Sequence, residues 1–439
     1  MKRNQNQFWT VASKVLAVMT VTLIMALALA PSAWAASRYK ILYSFTGGAD
    51  GSWPQFGQLI LDTSGNLYGT TSGGGAFGDG VVFELIKNSD GTWTESVLYS
   101  FAGGSDGASP YAGLTFDASG NLYGTTEGGG ASSAGTVFQL VPNSDGTWTE
   151  SVLYSFTGGS DGANPWAGVI FDATGTLYGT TYLGGASGLG VVYKLTPNSG
   201  GTWTESVLHT FTGSNGIHPV WGNLAFDTAG NLYGTTGAGG GGTCSSWAGT
   251  GCGVIFELKP QSDGSWKEHV ILSLSGQSSY ANPLGVVFDS AGNLYSSAGS
   301  TGPPYGAVFK FTLDANGKWT GHVLYAFGGN EDGAYPSIIA LDAAGGIFGT
   351  TSEGYGPDGA CCGQVFKLTP HAHGWSRQAA HYFQGPPQDG TNTNAGVVLD
   401  AAGNIYGTTC NGGSGGGSEA GCVLNNGYSG AGVVYEFTP

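Results

Sequence analysis

The sequence predicts an all-β fold, a seven-bladed β-propeller with four antiparallel strands per blade. Three observations predict it. An eleven-residue phrase recurs seven times, tight-turn chemistry stands at fixed places in each recurrence, and the first and last strand signals each lack partners that the other end supplies.

The phrase is FDASGNLYGTT at 116–126, and its aspartate returns as Asp62, Asp117, Asp172, Asp227, Asp289, Asp342 and Asp400. The spacings are 55, 55, 55, 62, 53 and 58 residues, so seven units fill 37–439. A chain of 439 residues would ordinarily divide into two or three domains, but a repeat of this period makes one ring. The 82 glycines follow no Gly-X-Y period, which excludes collagen, and 40% hydrophobic residues with only 10% charge exclude a disordered chain.

Each unit carries four short runs rich in β-branched and aromatic residues: GLTFD at 113–117, NLYGTT at 121–126, GTVFQL at 135–140 and WTESVLYSF at 148–156, here strands a to d. D-x-x-G joins a to b in all seven units. Aspartate can bond the backbone two residues on and glycine supplies positive φ, so the motif makes a tight hairpin. Asn88-Ser89-Asp90-Gly91 marks the turn from c to d. A lone blade cannot bury both faces, so the blades must stack in a ring. The chain starts on a d strand, Tyr39 to Phe45, and ends on a c strand, Gly432 to Phe437. The first strand should therefore complete blade seven and remove an open sheet edge. Tryptophans 93, 148, 203, 266, 319 and 375 begin d strands and read as blade-packing residues.

Residues 1–35 read as a secretory signal peptide. Lys2, Arg3 and Lys14 precede the apolar run Val15 to Ala30, and Ala33-Trp34-Ala35 is a cleavage pattern before Ala36. The propeller then occupies 36–439, with no membrane span after cleavage. The mature chain has 10 Lys+Arg against 29 Asp+Glu, a net charge of −19. Nucleic acid is excluded as a partner, since phosphate binding needs a basic surface.

The L-Y-x-F-x-G-G-x-D-G opening, the D-x-x-G-N-L-Y-G-T-T centre and the G-x-V-F-x-L close resemble the Gloeo/Verruco (GloVer) repeat of exported "choice-of-anchor" bacterial surface proteins. The resemblance implies an exported propeller with no assigned biochemical role. Family members often end in an anchoring segment; this chain stops at Pro439, so free secretion is the expectation.

Alternating strand direction places the d–a and b–c loops on one face, and the irregular sequence lies there. Trp53, Tyr111, Trp166, Trp221, Tyr280 and Tyr335 stand in those loops among hydrogen-bonding residues, a combination suited to sugar rings. Of these, Trp53, Tyr111, Trp166, Trp221 and Tyr335 are the candidate ligand contacts; their rival role is packing loop on loop. The aspartates of the G-G-x-D-G loops read as turn caps. Six cysteines in an exported chain suggest disulfides. Cys244–Cys252 and Cys410–Cys422 are the simplest pairs, leaving the adjacent Cys361 and Cys362 to bond each other under strain or to cross-pair between blades six and seven.

Enzyme signals are weak. G-x-S-x-G at 103–107 and 158–162 and G-x-G-x-x-G at 237–242 precede no helix, so the context they need is missing. Glu127, His218, Glu353 and Asp358 are the titratable residues of the variable face that do not recur in every blade. The leading expectation is therefore a secreted, monomeric, non-catalytic propeller, free of cofactor and metal, that recognises a glycan or a surface protein. Its rival is a polysaccharide lyase or hydrolase using those four residues.

Overall fold

The computed structural model describes residues 38–246, 248–276, 280–300, 303–354, 362–386, 389–413 and 430–438. The signal-peptide segment and Asp358 lie outside the described residues. Blade 2 shows the unit. Thr115–Phe116, Leu122–Thr126, Thr136–Pro142 and Trp148–Ser155 hydrogen-bond antiparallel in that order. The D-x-x-G turn closes as its chemistry requires. One Asp117 oxygen accepts the N–H groups of Ser119 and Asn121 at 2.8 and 2.9 Å, and the other accepts the Tyr123 hydroxyl at 3.1 Å. Strand a is shorter than its pattern. Only Thr115 and Phe116 join the ladder, because Asp117 belongs to the turn and Leu114 is buried before the ladder begins.

The glycine of LYGTT is set by a close approach. A Cβ on Gly124 would stand 2.6 Å from Cζ of Phe138 on strand c. That ring meets Phe101, at the end of the previous blade's d strand, edge-on at 5.1 Å. Equivalent pairs join most blades, as in Phe45–Phe83 and Phe383–Tyr435, while Leu274 stands at the junction into blade 5. The d-strand tryptophans pack as expected: Trp93, Trp266 and Trp319 lie edge-on to Tyr406, Tyr178 and Tyr233 of the preceding blade. Offset and edge-to-face aromatic pairs add stability beyond the area they bury.

Closure follows the chain ends. Arg38–Ser44 is the fourth strand of a sheet otherwise built from Val398–Leu399, Ile405–Thr409 and Val433–Thr438. The Phe45 N–H donates to the Gly432 carbonyl at 3.0 Å, and Phe45 is fully buried. The chain is thus a seven-bladed propeller clasped by its first strand. No helix among the described residues is long and apolar enough to cross a membrane.

Candidate functional site

Every blade is entered through one strained residue. Trp53, Ser109, Asn164, His218, Asn282 and Tyr335 each precede a proline, Asn392 precedes Thr393, and all seven have φ between 54° and 60°. Left-handed backbone costs a non-glycine residue on the order of 1–2 kcal/mol, and here the surroundings hold it. The first six donate their N–H to a carbonyl of the preceding blade at 2.8–3.0 Å, as Asn164 does to Ala134. The prolines press against glycines of that blade: a Cβ on Gly80, at φ +95, would stand 2.7 Å from Cδ of Pro110. This strain locks blade to blade.

After the proline the blades diverge. Pro54 to Asp62 and Pro219 to Asp227 span eight positions. Pro110 to Asp117 and Pro165 to Asp172 span seven, and Pro283 to Asp289 and Pro336 to Asp342 only six. In the six-position blades, 5 and 6, the segment stays in the sheet, with Pro283 opposite Ala298 and Pro336 opposite Thr351. In blades 1 to 4 the surplus residues leave the ladder and carry an aromatic: Phe56, Tyr111, Trp166 and Trp221. Phe56 and Trp221, from the two longest segments, stack face to face at 4.1 Å and 8°, although their blades are three apart. Trp221 lies parallel to Trp166 at 6.1 Å and 4°, and Trp166 stacks on Tyr182 at 4.1 Å and 11°. Tyr182 in turn stacks on His218 at 4.4 Å. Tyr111 leans on both Phe56 and Trp166 at 6.2 and 6.3 Å. Phe56 is buried and the other five rings are half-buried.

Two of the candidate titratable residues reach this column. Glu127 follows strand b of blade 2, its N–H donating to the Ser109 carbonyl at 3.1 Å. Burial pushes its carboxyl up. Burial, with the Glu127 charge, pushes the Tyr111 hydroxyl up to about 12. His218 stands beyond Tyr182. Its Nδ1 lies 2.5 Å from the Ala248 carbonyl, in a loop clipped by Cys244–Cys252. Glu127 and His218 are therefore parted by the Trp166–Tyr182 pair. Glu353, on blade 6, is exposed beside Tyr335, whose hydroxyl is pushed up by burial and then by that carboxylate.

Below the aromatics the ring narrows to one residue per blade, four positions before the repeat aspartate: Gln58, Gly113, Gly168, Asn223, Gly285, Ile338 and Gly396. Side chains cross between blades here. Gln58 Nε2 donates to the Val397 carbonyl at 3.3 Å, and the Gly168 N–H donates to Asn223 Oδ1 at 3.0 Å. A cavity of about 440 Å³ follows, walled by Leu59, Leu114, Val286, Ile339, Val397 and their neighbours. It extends along strand a toward the a–b turns. The described concavity lies on the turn side of the throat, and the loop-rich side carries the stacked rings. The cause is the surplus residues after the prolines, a spacing legible in the sequence.

The Gloeobacter/Verrucomicrobia repeat matches four overlapping stretches, residues 28–150, 90–244, 144–357 and 241–439. The chain belongs to that repeat family. No curated protein matches it. Among solved structures it is similar to the PQQ-bound aldose sugar dehydrogenase of Streptomyces coelicolor, at 12% identity and TM-score 0.44 over 92% of this chain and 99% of that one. It is also similar to a puromycin-hydrolyzing peptidase of Mycobacterium tuberculosis, at 10% and 0.49 over 87% and 53%. PorZ, a surface component of the type-IX secretion system of Porphyromonas gingivalis, matches at 14% and 0.38 over 79% and 44%. Likeness at this level carries no argument about chemistry.

Across the Gloeobacter/Verrucomicrobia repeats, the G-G-x-D-G aspartate is a cap. Asp161 accepts the Tyr154 hydroxyl at 3.0 Å and the Thr157 N–H at 2.8 Å, and Asp50 does the same with Tyr43 and Thr46. Where histidine replaces that tyrosine the contact survives, His381 with Asp389 at 2.8 Å and His209 with Asn215 at 2.9 Å. The G-x-S-x-G segments are these same capped loops. The five predicted ligand aromatics divide. Tyr111, Trp166 and Trp221 gather at the mouth, whereas Trp53 and Tyr335 are strained pre-proline residues on separate blades. Tyr280 packs edge-on to Phe309 at 5.2 Å. Cys362 and Cys410 are disulfide-bonded, while Cys361 and Cys422 lie outside the described residues.

Proposed function

We propose that this chain is an exported, non-catalytic recognition propeller that binds a neutral or weakly cationic glycan on its loop-rich mouth. The observation that carries the reading is the pairing of an aromatic floor with a neutral throat. Tyr111, Trp166, Trp221 and Tyr182 offer half-buried rings at one place, while none of the seven throat residues is titratable. Rings of this kind suit the apolar faces of sugars, and flanking amides such as Asn164 and Asn223 suit their edges. Acid–base catalysis needs groups within reach of one bond. Glu127 and His218 instead stand at opposite ends of a stacked pair, and Glu353 is on another blade. The disulfides support an oxidising compartment outside the cytoplasm.

A glycan array with the native protein and a Trp166→Ala, Trp221→Ala double variant tests the site. Binding by the native protein that disappears in a variant with unchanged melting supports it. An array with no binding, or a variant that unfolds, returns the rings to packing. Export is tested by intact mass, with Ala36 expected as the first residue of secreted material.

A further inference from the structure

We infer that the mouth between blades 2 and 3 recognises a protonated amine on its sugar, so that its preferred ligand is a glucosamine-type glycan rather than a neutral or N-acetylated one. The inference rests on the glycan reading above and adds the charge. Glu127 is half-buried, and its backbone bonds the residues that lead into Tyr111 and Trp166: its N–H donates to the Ser109 carbonyl at 3.1 Å and its carbonyl accepts from Asn164 Nδ2 at 3.1 Å. No Lys, Arg or His among the described residues forms an ion pair with it. A carboxylate taken partly out of water without a cation is costly, and burial accordingly favours its protonated form. A ligand cation placed there would offset that cost.

The neighbours suit such a cation. Tyr111 and Trp166 are tilted 54° to each other with 6.3 Å between their centroids, and Glu127 is held by its backbone between the segments that carry them. An ammonium over electron-rich ring faces gains from their quadrupoles, and a carboxylate beside it supplies the counter-charge. Trp221, parallel to Trp166, extends the floor for the rest of the sugar. The position is special to blade 2. The residues that follow the LYGTT threonines in the next two blades are Tyr182 and Gly237, so the charge is not a repeated turn element. A net charge of −16 over the whole sequence adds long-range attraction for a polycation and repels acidic glycans.

The test is calorimetric titration of the full chain with three tetramers: β-1,4-glucosamine at a pH where its amines are charged, its N-acetylated counterpart, and cellotetraose. The native protein is expected to prefer the amine tetramer about tenfold, the size of one partly desolvated cation–π contact with a counter-charge. Glu127→Gln, nearly isosteric, should reduce that affinity to the level of the neutral tetramers. Trp166→Ala should lose all three. Equal affinity of the native protein for the three tetramers, or a preference that survives Glu127→Gln, overturns amine recognition and leaves the glycan reading standing. Failure of every tetramer to bind the native protein overturns both.

Discussion

Blades 2 and 3 and blades 5 and 6 differ by one residue in a short segment, and that residue decides what faces the mouth. From Pro110 or Pro165 the chain takes seven positions to its repeat aspartate and puts Tyr111 or Trp166 among the stacked rings. From Pro283 or Pro336 it takes six and runs on along strand b. The blades share their turns, caps and aromatic joints. A propeller can thus hold its body uniform and vary its recognition face by the length of one loop, because the ladder ends where the surplus residue begins.

The largest expected effect concerns the body on which that comparison depends. Deleting the segment from Arg38 to Phe45 removes the fourth strand of the last blade and the buried Leu42 and Phe45. The loss should be at least about 5 kcal/mol, counting two buried side chains and an opened sheet edge. A truncated protein whose thermal midpoint lies within a few degrees of the full chain's would break the clasp. Next, Gly124→Val should cost about 3 kcal/mol or more, since its side chain must displace Phe138. Urea denaturation measures this, and a near-neutral result would show that strands b and c can separate without loss.

Removing Val220 sharpens the comparison directly, because it shortens the eight-position segment of blade 4 to seven. The Phe56–Trp221 stack at 4.1 Å should be lost. The cost should be about 2 to 3 kcal/mol, one aromatic pair together with the buried Val220 side chain. Altered tryptophan fluorescence with a lowered but still cooperative melting transition is the expected signature. An unfolded product would mean that the mouth is part of the body.

The smallest effect is on pH dependence. Burial, then the charges of Asp50, Asp106 and Asp161, push Glu95, Glu150 and Glu205 up to about 7 from the ordinary 4.5. Folding therefore favours their protonated forms. The associated stability is complete at low pH and is lost as pH rises through about 7. His209, lowered to about 4 by burial, acts in the opposite sense below pH 6.5, so the clean window is pH 6.5 to 8. The midpoint should fall by a few degrees across that window. It should fall less in a Glu95→Gln, Glu150→Gln, Glu205→Gln variant; identical slopes would remove these carboxyls as the cause.

Most of the body was legible because its rules are local. Aspartate and glycine three residues apart in Asp117-Ala-Ser-Gly120 close a hairpin wherever they stand, and a strand with no partner at each end of the chain points to ring closure. The capping role of Asp161 could be read from its recurrence. The mouth was legible only as an inventory. Trp53 and Trp166 look alike as aromatics near a proline, yet one is the strained residue before it and the other the inserted residue after it. Their spacing to the aspartate held that distinction.

By itself the sequence determined the blade count, the turns, the clasp and the variable face, because each follows from neighbours in the chain. Only the tertiary structure decided that Phe56 meets Trp221 across three blades, that Tyr182 parts Glu127 from His218, and that the cavity lies on the turn side of the throat. Such contacts depend on the closed ring, which fixes how far each side chain reaches toward a shared axis. No local pattern encodes that distance.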